Sequence, residues 1–178
     1  GLKRMVGGES FFITTFENRA SGRAKVGFAA AYPGKIMPVD LTKGTIFCQR
    51  DAYLCSAYGI EITVAFTKRL GAGFFGGEGF ILQKLTGDGL AFIHAGGYVI
   101  ERELAPGEEL RVDTGCIVAF EESVDYDIQR IKGVKTMLFG GEGLFYAILR
   151  GPGKIYIQTT PFSRFADRVM SAAGGSQG

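Results

Sequence analysis

Phe74-Phe75-Gly76-Gly77-Glu78-Gly79-Phe80-Ile81-Leu82 decides the fold, because the same pattern occurs three times. It matches Met5-Val6-Gly7-Gly8-Glu9-Ser10-Phe11-Phe12-Ile13 upstream and Leu138-Phe139-Gly140-Gly141-Glu142-Gly143-Leu144-Phe145-Tyr146 downstream. The Gly-Gly-Glu copies are 69 and 64 residues apart. A second block recurs at an offset of 63: Ile36-Met37-Pro38-Val39-Asp40-Leu41-Thr42-Lys43-Gly44 aligns with Val99-Ile100-Glu101-Arg102-Glu103-Leu104-Ala105-Pro106-Gly107. Self-similarity at a fixed period means stacked structural units that bury a shared core. The units divide as about 1–22 (the end of a first unit), 23–87 and 88–150, with a closing strand at 151–160 and a helix at 163–173. Each unit places some 50 residues before its Gly-Gly-Glu, yet the first copy has six. Two readings remain, a chain lacking an N-terminal part or a closed ring of three units, and the count favours the first.

Between these landmarks the sequence reads as strand after strand. Ser10–Phe16, Ala24–Ala30, Thr45–Arg50, Ile60–Phe66, Phe80–Leu85, Leu90–His94, Tyr98–Leu104, Glu109–Val112, Ile117–Phe120, Val124–Ile128, Leu144–Leu149 and Lys154–Gln158 are short, β-branched or aromatic, and bounded by Gly, Pro or Asp. Alternation in Ile60-Glu61-Ile62-Thr63-Val64 predicts half-buried antiparallel strands. The expected fold is all-β, an antiparallel sandwich or barrel-like arrangement of tandem repeats, with one C-terminal helix. Ser163 is expected to cap that helix, Phe162 to act as staple, and Phe165 and Val169 to share a face.

Composition excludes some function classes. An apolar fraction of 46% in 178 residues supports a sizeable core and excludes a disordered tail. No apolar run is long enough to span a membrane as a helix, and no secretory signal is visible. A net charge of +2 gives no footprint for nucleic acid, which is not expected as a partner. Charge is uneven: residues 1–75 carry +5, residues 76–127 carry −8 and residues 128–178 carry +5. The acidic middle reads as a solvated face. Cys48, Cys55 and Cys116 have neither even number nor C-x-x-C spacing, which argues against a disulfide framework or a zinc site and for a reducing, cytoplasmic setting.

The chemistry-bearing motifs are sparse. Gly71-Ala72-Gly73-Phe74-Phe75-Gly76 has dinucleotide-binding spacing, but a strand rather than a helix follows it, so no cofactor is expected. His94 is the one histidine, and it precedes Ala95-Gly96-Gly97 as if at an exposed turn; a structural role is expected, with no catalytic residue and no enzyme activity. Glu9, Glu78 and Glu142 recur at equivalent places and are expected to fix their turns rather than bind a metal. The repeated loops join basic to apolar residues: Lys3, Arg4 and Met5; Lys68, Arg69, Phe74 and Phe75; Lys135, Leu138 and Phe139. Such loops suit an anionic membrane surface or a protein partner.

Several stretches carry a family resemblance. Phe66-Thr67-Lys68-Arg69-Leu70-Gly71-Ala72-Gly73, Gly89-Leu90-Ala91-Phe92-Ile93-His94-Ala95-Gly96-Gly97, Val112-Asp113-Thr114-Gly115-Cys116 and Pro161-Phe162-Ser163-Arg164 resemble the family named for altered inheritance of mitochondria, member twenty-four. The resemblance implies a fold like the tryptophan RNA-binding attenuation protein, with pseudo-threefold repeats that assemble in rings. It implies a role in membrane organisation, a homo-oligomer with a trimer favoured, and no catalytic residues to transfer. Ordered Lys/Arg against stacked bases is not found, so RNA binding is not carried over. The expected function is a non-enzymatic oligomeric scaffold that meets a membrane surface or partner through its loops. The alternative is a small-ligand or cation-binding β module.

Overall fold

A computed structural model describes residues 2–6, 9–68, 80–130 and 145–174. Fourteen strands and one helix are described: β1 (Leu2–Val6), β2 (Glu9–Ile13), β3 (Gly34–Asp40), β4 (Ile46–Gln49), β5 (Tyr53–Ser56), β6 (Glu61–Lys68), β7 (Phe80–Thr86), β8 (Leu90–Gly96), β9 (Val99–Leu104), β10 (Glu109–Asp113), β11 (Ile117–Glu121), β12 (Asp125–Arg130), β13 (Phe145–Arg150), β14 (Gly153–Gln158) and α1 (Phe162–Gly174). Every paired strand is antiparallel, as the alternating patterns require. The all-β reading with a short C-terminal helix holds.

The strands form two complete copies of one six-strand unit. In the first, β3-β8-β5 is one sheet and β6-β7-β4 the other; in the second, β9-β14-β11 faces β10-β13-β12. The registers agree in detail. Tyr53↔Ile93, Cys55↔Phe92 and Ser56↔Ala91 become Ile117↔Ile157, Ala119↔Tyr156 and Phe120↔Ile155 at an offset of 64, with a bulge at the same place in both. β4 of the first unit pairs with β11 of the second, giving one sheet ordered β6-β7-β4-β11-β14-β9.

Each unit buries its own apolar face. Met37, Val39, Ile46, Cys48, Ile62, Leu85, Ala91 and Ile93 fill the first core. Val112, Ile117, Phe120, Ile128, Ala147, Leu149 and Ile155 fill the second, which also takes Phe80 and Leu82 from β7 of the first unit. At the seam, Phe47 and Phe120 lie opposite each other with ring centroids 5.6 Å apart, and Tyr126 closes on Phe120 at 5.3 Å. Such offset aromatic pairs add to plain burial.

Two expectations need correction. Ala24–Ala30 forms no strand; residues 14–29 are exposed and irregular. A strand pattern is half an instruction, because a strand persists only where neighbours take its backbone hydrogen bonds. The helix begins at Phe162, one residue before the expected cap, and the Phe165 N–H donates to the Pro161 carbonyl at 3.1 Å. Ser163 therefore lies in the first turn, and the Phe162 ring packs on Tyr32 at 5.0 Å. β3 runs through Pro38, which the edge position of β3 permits. Close backbone approach fixes two glycines: a Cβ on Gly34 would overlap the Ala95 carbonyl oxygen, and one on Gly96 the Thr160 carbonyl oxygen.

Phe120→Ala removes a fully buried ring from the seam. We expect a loss of about 3–5 kcal/mol in denaturant unfolding. A loss below about 1 kcal/mol would show that the seam is not a packed part of the core.

Candidate functional site

The repeated loops take the same place in each copy. Residues 69–79 join β6 to β7, and residues 131–144 join β12 to β13. Residues 7 and 8 stand between β1 and β2, whose pairing runs from Leu2↔Ile13 to Val6↔Glu9. Arg4↔Phe11 in this hairpin matches Lys68↔Phe80 in the next. Lys3, Arg4 and Met5 are thus strand residues of β1, Glu9 opens β2, and Lys68 closes β6. Arg69, Phe74, Phe75, Glu78, Lys135, Leu138, Phe139 and Glu142 lie outside the described residues.

Many carboxylates of the acidic middle have partners. Arg150 spans β10-β13-β12, donating to Glu109 at 2.6 Å and to Asp125 at 3.3 Å. Lys84 reaches Glu122 at 2.6 Å and stands 5.9 Å over the Phe47 ring. Glu108 accepts from the Ala105 N–H at 2.9 Å and from Arg102. That backbone bond, followed by Arg102, holds the Glu108 carboxyl below its ordinary range. Lys84 does the same for Glu122. The acidic pairs Glu108/Glu109 and Glu121/Glu122 are therefore turn and ladder fasteners; Glu121 accepts the Lys154 N–H at 2.9 Å.

His94 is the residue most misjudged from sequence. It lies inside β8, 4% exposed, not at an exposed turn. Ile36↔His94 and Val99↔Gln158 are corresponding pairs, so His94 and Gln158 hold one position in the repeat. Gln158 satisfies it fully: its Oε1 accepts from the Gly96 N–H at 2.8 Å and its Nε2 donates to the Gly115 carbonyl at 2.8 Å. His94 bonds the Tyr32 backbone instead, and the Tyr32 ring meets it edge-on at 4.5 Å. Its Nε2 is buried with no partner among the described residues. Burial pulls its pKa below the ordinary histidine value, against the opposing Tyr32 bond. The signal was in the offset: Gln158 lies 64 residues after His94.

The remaining reactive groups are quiet. Cys48, Cys55 and Cys116 are free thiols, and burial first of all pushes each one's pKa up. Thiolate, the nucleophilic and metal-binding form, is thereby disfavoured. Among the described residues, no three His, Cys, Asp or Glu side chains are grouped to hold a metal ion. No helix among them is long and apolar enough to cross a membrane.

The sequence profile of mitochondrial biogenesis AIM24 proteins matches residues 1–160. The chain belongs to the AIM24 family. It is 29% identical over 165 residues to the uncharacterised protein M6_Spy0233 of Streptococcus pyogenes serotype M6, a match that covers 92% of this chain and 64% of the relative. In fold it resembles the crystal structure of SPYM3_0169 from Streptococcus pyogenes, with a TM-score of 0.66 and 24% identity over 81% of this chain and 62% of that one. This AIM24 chain thus spans under two thirds of the length of these relatives.

The depressed His94 value fixes a sign. Above the ordinary histidine range, near pH 6.5, the residue is neutral folded or unfolded and its contribution is intact. As pH falls through that value the unfolded chain takes up the proton first, so stability declines until the lower folded value is passed. His94→Gln, which copies the Gln158 solution, is expected to lose less stability than the wild type between about pH 7 and pH 5. Equal losses in chemical denaturation at the two pH values would show that His94 is not the group responsible.

Proposed function

We propose that this AIM24 chain is a non-enzymatic cytoplasmic scaffold that assembles as a homo-oligomer, a trimer by preference, and docks on an anionic membrane surface through its repeated hairpin connections. One observation carries the reading. The sequence repeat puts basic and apolar residues in the corresponding connection of each unit or on the strand that leads into it, while other strand residues are committed to cores and ladders. Basic groups suit a headgroup layer, and Phe or Leu beside them suits the acyl boundary below it. The reading asks for no reactive side chain in the body, where burial raises the thiol pKa values and His94 is enclosed in β8.

Replacing Phe74, Phe75, Leu138 and Phe139 together by Ala is expected to abolish co-sedimentation with phosphatidylserine-containing vesicles and to leave the melting temperature within a few degrees. Neutral vesicles should bind weakly in either case. Unchanged vesicle binding by the quadruple variant, or none by the wild type, would reject the membrane reading and leave a protein partner for these loops.

A further inference from the structure

α1 stands outside the repeat. The first unit passes from β8 directly into β9, whereas the corresponding strand β14 leads into α1. At 3.6 residues per turn, Phe162, Phe165, Ala166, Val169, Met170 and Ala173 share a stripe about 140° wide. Ser163, Arg164, Asp167, Arg168 and Ser171 occupy the other side. A helix set into a core would bury its apolar stripe. Here Phe162, Phe165, Val169 and Met170 are all exposed. The first turn fastens α1 to the body: Arg164 pairs with Asp113, and Phe162 packs on Tyr32.

The fold sets this helix at the end of the molecule that carries the repeated connections. Through the successive registers of the six-stranded sheet, Phe80, Gln49, Ile117 and Gln158 lie toward one end. Phe80 and its partner Lys68 bracket residues 69–79. Gln158 leads into α1 through residues 159–161. In the other sheet of the second unit, Asp113↔Tyr146 stands next to Arg130↔Phe145, the pair that brackets residues 131–144. Asp113 is also the residue that holds Arg164. α1 and both connections therefore leave the body at one end.

Charge and area say what covers the face. α1 carries Arg164 and Arg168 against Asp167, and residues 128–178 as a whole carry +5. Its 13 residues make a stripe about 20 Å long and about 10 Å wide, roughly 200 Å². A second copy needs roughly 800 Å² on each partner to stay bound. An anionic bilayer does not, because the repeated connections share the contact. A short amphipathic helix with basic residues opposite its apolar stripe settles at the boundary of headgroups and acyl chains. We propose that the apolar face of α1 is an in-plane contact with an anionic bilayer, seated beside the repeated connections. This assignment rests on the membrane reading above and adds to it an element that the repeat does not encode.

Tryptophan fluorescence reports on the face, because the chain has no Trp of its own. Val169→Trp places a reporter on the apolar stripe and Ser171→Trp one on the polar side, both at exposed positions. With phosphatidylserine-containing vesicles, the reporter at 169 should shift its emission to the blue. Lipids brominated along the acyl chain should quench it at least about five-fold more than the reporter at 171. Val169→Asp combined with Met170→Asp should weaken vesicle binding at least about 10-fold and leave the melting temperature within a few degrees. Co-sedimentation without a shift at 169 would overturn the proposal and leave the loops as the membrane contact. Equal quenching at 169 and 171 would overturn it as well, by removing the in-plane orientation. Blue-shifted emission at 169 without lipid, reversed on dilution, would give the face to a second copy. Failure of every form to co-sediment would instead reject the membrane reading on which the proposal rests.

Discussion

The antiparallel seam between β4 and β11 is the constraint on which the rest depends. Three residue pairs join two units that each have a core of their own. Without it, β4 and β11 would each be an edge, with a row of backbone groups left to water. With it, Phe80 and Leu82 of the first unit enter the core of the second, and Val99, Val118 and Ala119 of the second enter the core of the first, so neither core is complete alone. The seam also explains why the middle of the six-stranded sheet is largely buried. Ile46, Cys48 and Gln49 on β4, and Ile117, Val118, Ala119 and Phe120 on β11, are all buried. Strands covered on both faces lose the simple alternation of a half-exposed sheet.

A polar tie works beside this apolar seam. Gln158 links the end of β8 to the turn before β11, and Asp113 carries that turn onward by accepting from the Gly115 N–H at 2.9 Å and from Arg164 of α1 at 2.5 Å. The helix is thereby fastened to the second unit by one exposed ion pair and to the first by the Phe162–Tyr32 contact. Its further apolar residues, Phe165, Val169 and Met170, remain 40%, 50% and 72% exposed, so the shared face read from sequence exists but is not a core face in this chain.

How much was legible follows from what kind of signal each element carries. The hairpins were legible because Gly-Gly-Glu repeats flag a connection wherever it occurs. β3 was visible as a repeat block but not as a strand, since Pro38 argues against a ladder and only the sheet order shows that β3 is an edge. β5, with four residues and no alternation, has no periodic signal at all. β1 was hidden because Lys3 and Arg4 read as loop chemistry. His94 was misplaced because Gly96-Gly97 looked like the turn, while β8 continues to Gly96. Of the residues proposed for docking, the chemistry was readable from sequence, and the strand order adds that the connections they lie in or beside are equivalent.

The character of β10 bears on what its edge is for. Glu109, Arg111 and Asp113 alternate with Leu110 and Val112, and charged residues on an edge are a common defence against unwanted strand pairing. Here the charges have another reason to be present. Glu109 is engaged by Arg150 of the neighbouring strand, and the charged residues all share one alternate face while Val112 is buried on the other. A strand inside a sheet with one wet face looks the same. Charge on β10 therefore does not mark an edge that evolved to stay open. β5 argues more directly, because its residues Tyr53, Leu54, Cys55 and Ser56 are all half-buried and carry no charge. An edge strand with neither Lys, Pro nor Asp, bulged in the same place as the interior strand β11, has no charge or proline to discourage strand pairing.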